Sequence, residues 1–154
     1  MKLGEILKAN GVKMLAGTSS KKRLFQDLGD IAQVCYGLDP ETVVEALLDR
    51  ENLGPTGVGH GVALPHARLP GLDQVQGMFI RLEKPLDFDA IDRQPVDLVF
   101  ALLAPSNAGV DHLKALALVS RTMREPTTLS KLRANTDPAT LHTILTEAQA
   151  TQLA

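Results

Sequence analysis

Histidines set in a glycine- and proline-rich segment are the residues of this sequence best suited to covalent chemistry. His60 and His66 flank a short apolar run at residues 62–64, and Pro65 directly precedes His66. A neutral imidazole nitrogen is nucleophilic, and it can accept a phosphoryl group and release it near neutral pH. Because proline fixes the backbone in front of it, the His66 ring is expected on a stiff turn. We therefore predict that His66 carries a phosphoryl group, the alternative being a histidine that only caps or packs.

His112 and Arg50 are the candidates to assist His66. His112 lies in the first turn of a predicted helix, where the helix dipole disfavours an imidazolium and the free N–H groups favour an anion. It could therefore donate a hydrogen bond to a phosphate, although helix capping explains a histidine here equally well. Arg50, at the end of another predicted helix, could neutralise the oxygens of a phosphoryl group in transfer. Its simpler role is a surface ion pair with Asp49 or Glu51.

The segment that contains His60 and His66 lacks the signature of a nucleotide-binding loop. No Lys-Ser or Lys-Thr pair follows its glycines, so the phosphate-gripping lysine of the P-loop is absent. Gly57, Gly59 and Gly61 alternate without the spacing of the dinucleotide fingerprint. What remains is a backbone that can approach an anion closely and point N–H groups at it. We expect a shaped loop around one short strand.

A third hypothesis is a metal-dependent hydrolase in which His60, His66 and His112 hold zinc, because imidazole suits that ion. The sequence contains no HExxH pair and no nearby carboxylate motif to support it. The single cysteine, Cys35, excludes an intrachain disulfide and a cysteine-rich zinc site. It lies on an apolar helical face and is predicted to be a small buried residue. We expect neither a metal nor another cofactor.

Helix and strand signals indicate an α/β layered fold that positions these residues. Helices are predicted at residues 21–36, 40–51, 111–124, 129–134 and 138–148, and strands at residues 62–64, 75–82 and 96–103. A serine N-cap precedes the first helix, Gly37 ends it, and Asp39 followed by Pro40 begins the second. The last strand is nearly all apolar, which is typical of a central strand. Helices, then strands, then helices indicate the α/β class, with a turn-rich connection at residues 85–95.

Length and composition point to a cytoplasmic globular protein. With 154 residues, 44% of them hydrophobic, the chain has the size and apolar content of a single domain spanning residues 1–154. Aromatic residues make up 3% and the formal net charge is −2, which argues against nucleic-acid binding. The basic cluster at residues 21–23 is interpreted as the solvated start of a helix. No apolar stretch approaches the ~20 residues that cross a bilayer, so membrane insertion is not expected.

Several sequence blocks together resemble one protein family. They are SSKKR from Ser19, REN from Arg50, TGVGHGVALPHARL from Thr56, DFDAIDRQPVDLVFALLAP from Asp87 and DHLKAL from Asp111. The combination is similar to the nitrogen-regulatory enzyme IIA of the bacterial phosphotransferase system, a relative of the fructose- and mannitol-type IIA domains. Each block alone is weak, but the combined pattern covers most of the chain and is highly specific.

The resemblance implies a single-domain mixed β-sheet flanked by helices, with His66 phosphorylated by a histidine phosphocarrier protein and Arg50 and His112 beside it. The supporting loop would comprise Gly59, His60, Gly61, Ala67 and Arg68. His60 is treated as a polar loop residue, and Ala67 departs from the glycine that many relatives have, so a positive φ there would be strained.

The function implied is regulatory. The family's targets are expected to be proteins such as a potassium transporter or a sensor kinase, controlled according to the phosphorylation state. The alternative is a sugar-specific IIA component that passes phosphate to a IIB partner during uptake. The DFDAID stretch and the SKKR helix start resemble the nitrogen-regulatory branch more than the sugar branches.

Overall fold

The structure is a mixed six-stranded β-sheet flanked by helices. It is a computed structural model that describes residues 1–153, with side chains through residue 148. The helices are α1 (Leu3–Ile6), α2 (Lys21–Tyr36), α3 (Pro40–Leu53), α4 (Val110–Thr122), α5 (Pro126–Arg133) and α6 (Pro138–Leu153). The strands are β1 (Leu7–Leu15), β2 (Gly57–Gly59), β3 (Val62–Ala63), β4 (His66–Leu69), β5 (Gln76–Leu86) and β6 (Val96–Pro105). The predicted α/β class is confirmed.

The long apolar strand β6 lies in the middle of the sheet, as its composition predicts. The strand order is β1-β5-β6-β3-β2, and β4 pairs with β6 further along the same edge as β3. β5 runs antiparallel to β6, whereas β3 and β4 run parallel to it. The register places His66 opposite Leu102, near the carboxyl end of β6. Helix α4 is the next element after β6 and is separated from it by four residues, so this end of the sheet lies beside the start of α4.

Both faces of the sheet are buried because alternate residues of β6 enter two separate cores. Leu98, Phe100 and Leu102 pack with residues of α4, α5 and α6 on one face. Val99, Ala101 and Leu103 pack with residues of α2 and α3 on the other. The continuous apolar run follows from this double burial, since neither set of side chains reaches water.

The first two long helices begin where the capping signals place them, and α2 also ends at the predicted glycine, whereas α3 ends at Leu53 rather than residue 51. The Ser20 hydroxyl accepts a hydrogen bond from the Arg23 N–H at 3.1 Å, and Gly37 closes α2 in the left-handed region with φ 67°. The Asp39 carboxylate accepts from the Thr42 N–H at 3.1 Å at the start of α3. Cys35 is buried, as predicted, and burial raises its pKa.

Several predicted boundaries are wrong. The segment expected to be a loop around one strand contains three short strands, β2, β3 and β4, because β6 offers enough edge to pair with both β3 and β4. α5 begins at Pro126 rather than residue 129, since proline suits the first helical position. β5 continues past residue 82 to Leu86, and α4 ends at Thr122 rather than residue 124. β1 was not predicted, because a register shift between Leu7 and Val12 breaks the alternation of buried and exposed residues along the strand.

Candidate functional site

The His66 ring has one tautomer that satisfies its contacts. Its Nδ1 lies 2.9 Å from the Leu64 carbonyl oxygen, which can only accept, so Nδ1 carries the proton. The Arg50 Nε donates to His66 Nε2 at 3.3 Å, and an arginine can only donate. Nε2 therefore holds a lone pair. A neutral His66 with a lone pair on Nε2 has the electronic form of a nucleophile.

The surroundings of His66 keep the ring neutral near pH 7. Burial lowers its pKa below the ordinary value because the charged form loses hydration. The Leu64 carbonyl raises the pKa, the Arg50 guanidinium lowers it again, and the net shift is downward. His66 is half-buried at the first position of β4. It lies at the start of a paired strand and not on the stiff turn that we predicted.

His112 shows the opposite tautomer. It is the third residue of α4 and is 7% exposed. The Arg68 Nε donates to its Nδ1 at 3.2 Å, so in the neutral ring the proton lies on Nε2. Nε2 is buried, and it has no hydrogen-bond partner in the described part of the chain. Burial lowers the pKa of His112, and its electrostatic interactions with His66 and Arg68 lower it further.

The two imidazole rings meet edge to face. Their centroids are 5.6 Å apart and their planes are inclined by 66°. They line a surface depression of about 460 Å³ whose wall is formed by Ala46, Asp49, Arg50, Leu53, His66, Ala67, Arg68 and His112. A larger cavity of about 620 Å³ between α2 and α3 is lined by no histidine. The smaller depression thus brings two neutral histidines and two arginines together.

Arg50 does not make the surface ion pair that the sequence left open. Its Nε contacts His66 and its Nη1 donates to the Gly54 carbonyl oxygen at 2.9 Å, at the end of α3. This second bond satisfies a carbonyl that has no partner inside the helix. Arg50 is therefore tied to the end of its own helix while its guanidinium contacts the candidate nucleophile.

A buried carboxylate next to Arg50 holds the end of α3 in place. Glu51 accepts from the Lys21 ammonium at 2.9 Å, and from the Thr56 N–H at 3.0 Å and hydroxyl at 2.6 Å. Its side chain is 5% exposed. Lys21 also donates to the Phe88 carbonyl oxygen at 3.0 Å. Lys21 is thus a structural ion-pair partner, and the interpretation of residues 21–23 as simply solvated is wrong for it.

The glycine loop lies away from this depression. Val62 is opposite Leu98 and His66 is opposite Leu102 on β6, so four strand positions, roughly 13 Å, separate the two ends of the segment. His60 is exposed with φ 58°, and its N–H donates to the Asp92 carboxylate at 3.0 Å. The flanking glycines, Gly59 and Gly61, have φ values of 100° and 77°. These three residues do not line the depression.

Ala67 and Arg68 belong to the depression, and neither is strained. Ala67 pairs with Leu103 in β4 and is 7% exposed. It is not among the described non-glycine residues with positive φ, so alanine fits this position without cost. The sequence reasoning missed Leu53 and Asp49 in the wall of the depression. Leu53 is 86% exposed, and a large apolar residue three positions after Arg50 was the available signal.

Two further features, a cluster of metal-ligating side chains and a membrane-spanning helix, are absent from the described residues. Among them, no group of at least three His, Cys, Asp or Glu side chains is placed to hold a metal ion. In the same part of the chain, no helix combines the length and the apolar character that crossing a bilayer requires.

Comparisons with known proteins agree with the observed fold. The profile of the family described as "Phosphoenolpyruvate-dependent sugar phosphotransferase system, EIIA 2" matches residues 5–148. A nitrogen regulatory protein of Bradyrhizobium diazoefficiens is 48% identical over 133 residues, which cover 86% of this chain and 87% of that protein. The crystal structure of nitrogen regulatory protein IIA-Ntr from Neisseria meningitidis superposes with a TM-score of 0.87 at 38% identity, covering 94% and 99% of the two chains.

The chain therefore belongs to the EIIA type 2 family of the phosphotransferase system. Its resemblance to the nitrogen-regulatory enzyme IIA is confirmed by these relatives. A sugar-specific relative is more distant: a fructose-specific EIIA component of Haloferax volcanii is 35% identical over 109 residues, 71% of each chain.

Proposed function

We propose that this chain is a phosphohistidine-carrying regulatory protein that accepts a phosphoryl group on Nε2 of His66 from a histidine phosphocarrier protein. The observation that carries the proposal is the pair of opposite tautomers at one depression. His66 presents a lone pair on Nε2, whereas His112 has a proton on Nε2 and no acceptor for it in the described part of the chain. A nucleophile beside an unused hydrogen-bond donor suits an incoming phosphoryl group.

The transfer step is an exchange of one P–N bond for another. The bond from phosphorus to the donor's histidine breaks, and the donor nitrogen keeps the electron pair. The lone pair of His66 Nε2 forms the new bond, while the Nδ1 proton stays on the ring and remains bonded to the Leu64 carbonyl oxygen. That carbonyl also stabilises the positive charge that the ring gains when Nε2 is substituted.

Two groups stabilise the charge on the transferring phosphoryl oxygens. The Arg50 guanidinium already lies within 3.3 Å of Nε2, so it needs little movement to meet an oxygen bonded to the same phosphorus. The His112 Nε2–H is the second donor. Since His112 is 7% exposed, its hydrogen bond is made where water competes weakly.

A partner protein can dock on exposed apolar residues in the wall of this depression and at the start of α4. Leu53 is 86% exposed at the end of α3, and Val110 and Leu113, on either side of His112 in sequence, are 62% and 64% exposed. Exposed large apolar side chains next to a reactive group are typical of an interaction surface. We assign this surface to the phosphocarrier donor.

The charge state of His66 is the regulatory signal in this proposal. Phosphorylation adds to the half-buried ring a group that carries about two negative charges, which changes how the same surface binds a target. The targets are cytoplasmic regulatory partners, such as a potassium transporter or a sensor kinase. The alternative is a sugar-specific IIA component that passes the group to a IIB protein, which the fructose-specific relative favours.

Intact-mass measurement tests the proposal. Incubation with phosphoenolpyruvate and the phosphotransferase donor proteins should add one acid-labile, base-stable phosphoryl group, and His66→Ala should abolish it. His142→Gln is the control, because His142 contacts the Leu7 carbonyl oxygen away from the depression. Labelling that survives in His66→Ala would refute the proposal. Adding IIB proteins then separates the two functions, since only the sugar-specific alternative predicts rapid transfer to them.

A further inference from the structure

Arg68 connects strand β4 to the start of helix α4 through His112. Its backbone is paired with Ala104 of β6, which fixes where the side chain begins. Its Nε donates to His112 Nδ1 at 3.2 Å, across 44 positions of sequence. Arg68 is exposed, whereas His112 is buried. The contact thus joins a surface arginine to a buried imidazole at the wall of the depression.

This contact decides where the proton of His112 lies. A neutral imidazole carries one proton on either Nδ1 or Nε2, and the partner of one nitrogen fixes the other. The arginine side chain stays protonated in proteins and has no acceptor, so a proton on His112 Nδ1 would oppose the Arg68 N–H. The Nε2–H tautomer is the one that accepts this bond.

The tautomer matters because of the neighbouring ring. The centroids of His66 and His112 are 5.6 Å apart, close enough for an oxygen of a group on His66 to reach the second ring. With the proton on Nε2, His112 offers that oxygen a donor. With the proton on Nδ1, it would offer a lone pair instead, and two acceptors would face each other.

We propose that Arg68 is a positioning residue that holds His112 in the Nε2–H tautomer and so keeps its hydrogen-bond donor available to the phosphoryl group. The role in transfer rests on the proposed function, whereas the tautomer is a property of the unmodified protein. The positive charge of Arg68 acts in the same direction, because it disfavours the imidazolium form of His112.

The test is nitrogen NMR of the His112 ring in the unphosphorylated protein, with single-turnover phosphorylation of the same samples. Wild-type His112 should show a protonated Nε2 and an unprotonated Nδ1 at neutral pH. In Arg68→Ala, signal from the Nδ1–H tautomer should appear and transfer should slow by about tenfold or more. Arg68→Lys should restore both properties, because an ammonium also donates to Nδ1 and cannot accept.

Arg124→Ala is the matched control, since it removes an exposed arginine that does not line the depression. It should leave the tautomer and the transfer rate as in wild type. The proposal would be overturned if the ring nitrogens of His112 in Arg68→Ala had the same chemical shifts as in wild type. A changed tautomer with an unchanged transfer rate would also overturn it. If wild-type protein shows the tautomer but is never phosphorylated, the proposed function fails while the assignment of the tautomer to Arg68 stands.

Discussion

Arg50 makes two contacts that distinct experiments can separate. Its Nε contacts His66 Nε2 and its Nη1 contacts the Gly54 carbonyl oxygen. The first contact matters for phosphoryl transfer and the second for the end of α3. Arg50→Ala removes both contacts, whereas Arg50→Lys keeps a positive charge without the planar fork. We therefore expect the transfer rate to be highest in wild type, lower in Arg50→Lys and lowest in Arg50→Ala.

The magnitudes follow from the kind of each contact. Removal of one preorganised hydrogen-bond donor that faces a developing charge typically lowers the rate about 10²–10³-fold. We expect a decrease of this size in the transfer rate of Arg50→Ala. The Gly54 bond is a single, partly buried hydrogen bond, worth about 0.5–1.5 kcal/mol. In a chain of this size, a loss of about 1 kcal/mol lowers Tm by roughly 2–4 °C. The loss of transfer rate in Arg50→Ala should therefore be much larger than the loss of stability alone could cause.

The assay is paired. Single-turnover phosphorylation by a saturating charged donor gives the rate, and thermal unfolding of the same protein gives Tm. Arg124→Ala, an exposed arginine outside the depression, serves as the control for loss of one positive charge. Wild-type transfer rates in both Arg50 variants, whatever their Tm, would refute the reasoning and leave Arg50 as a helix-end residue.

Three further predictions follow from the geometry. Glu51→Gln removes the negative charge of a buried group that accepts three hydrogen bonds and leaves the Lys21 ammonium without its ion-pair partner, so urea unfolding should show a loss of about 2–3 kcal/mol, whereas exposed Glu45→Gln should stay within about 0.5 kcal/mol. Transfer requires neutral His66, whose pKa lies below the ordinary 6.5, so the pH–rate profile should fall on the acid side with its midpoint below pH 6.5; an inflection above 6.5 would contradict this. Leu53→Ala should raise the KM for the donor roughly tenfold, whereas Val34→Ala, 74% exposed on α2, should not.

The helices and the central strand were predictable because their signals are local. Caps at Ser20 and Asp39 and the glycine at position 37 act within a few residues of the helix ends that they fix. The apolar run of β6 records burial on both faces. β1 was missed because its exposed residues at positions 8–10 and its register shift hide the two-residue period. Local patterns therefore predict elements only where the element is regular.

The site was predictable in its residues but not in its contacts. Residue chemistry singled out His66, with His112 and Arg50 as assistants, and the family resemblance placed all three together. The hydrogen bond from Arg68 to His112 depends on the register of β4 against β6 and on the position of α4 beyond it. No periodicity in the sequence encodes that register. The Lys21–Glu51 ion pair, across 30 positions, was missed for the same reason.

The most direct test of the account is to determine which ring nitrogen carries the phosphoryl group. Protein labelled with ¹⁵N in its histidines is phosphorylated through the donor, and coupling between phosphorus and nitrogen is read by NMR. The Leu64 carbonyl occupies the Nδ1 side of His66, so the coupling should be to Nε2 of His66, with Nδ1 still protonated. A phosphoryl group on Nδ1 of His66, or on any other residue, would contradict the account.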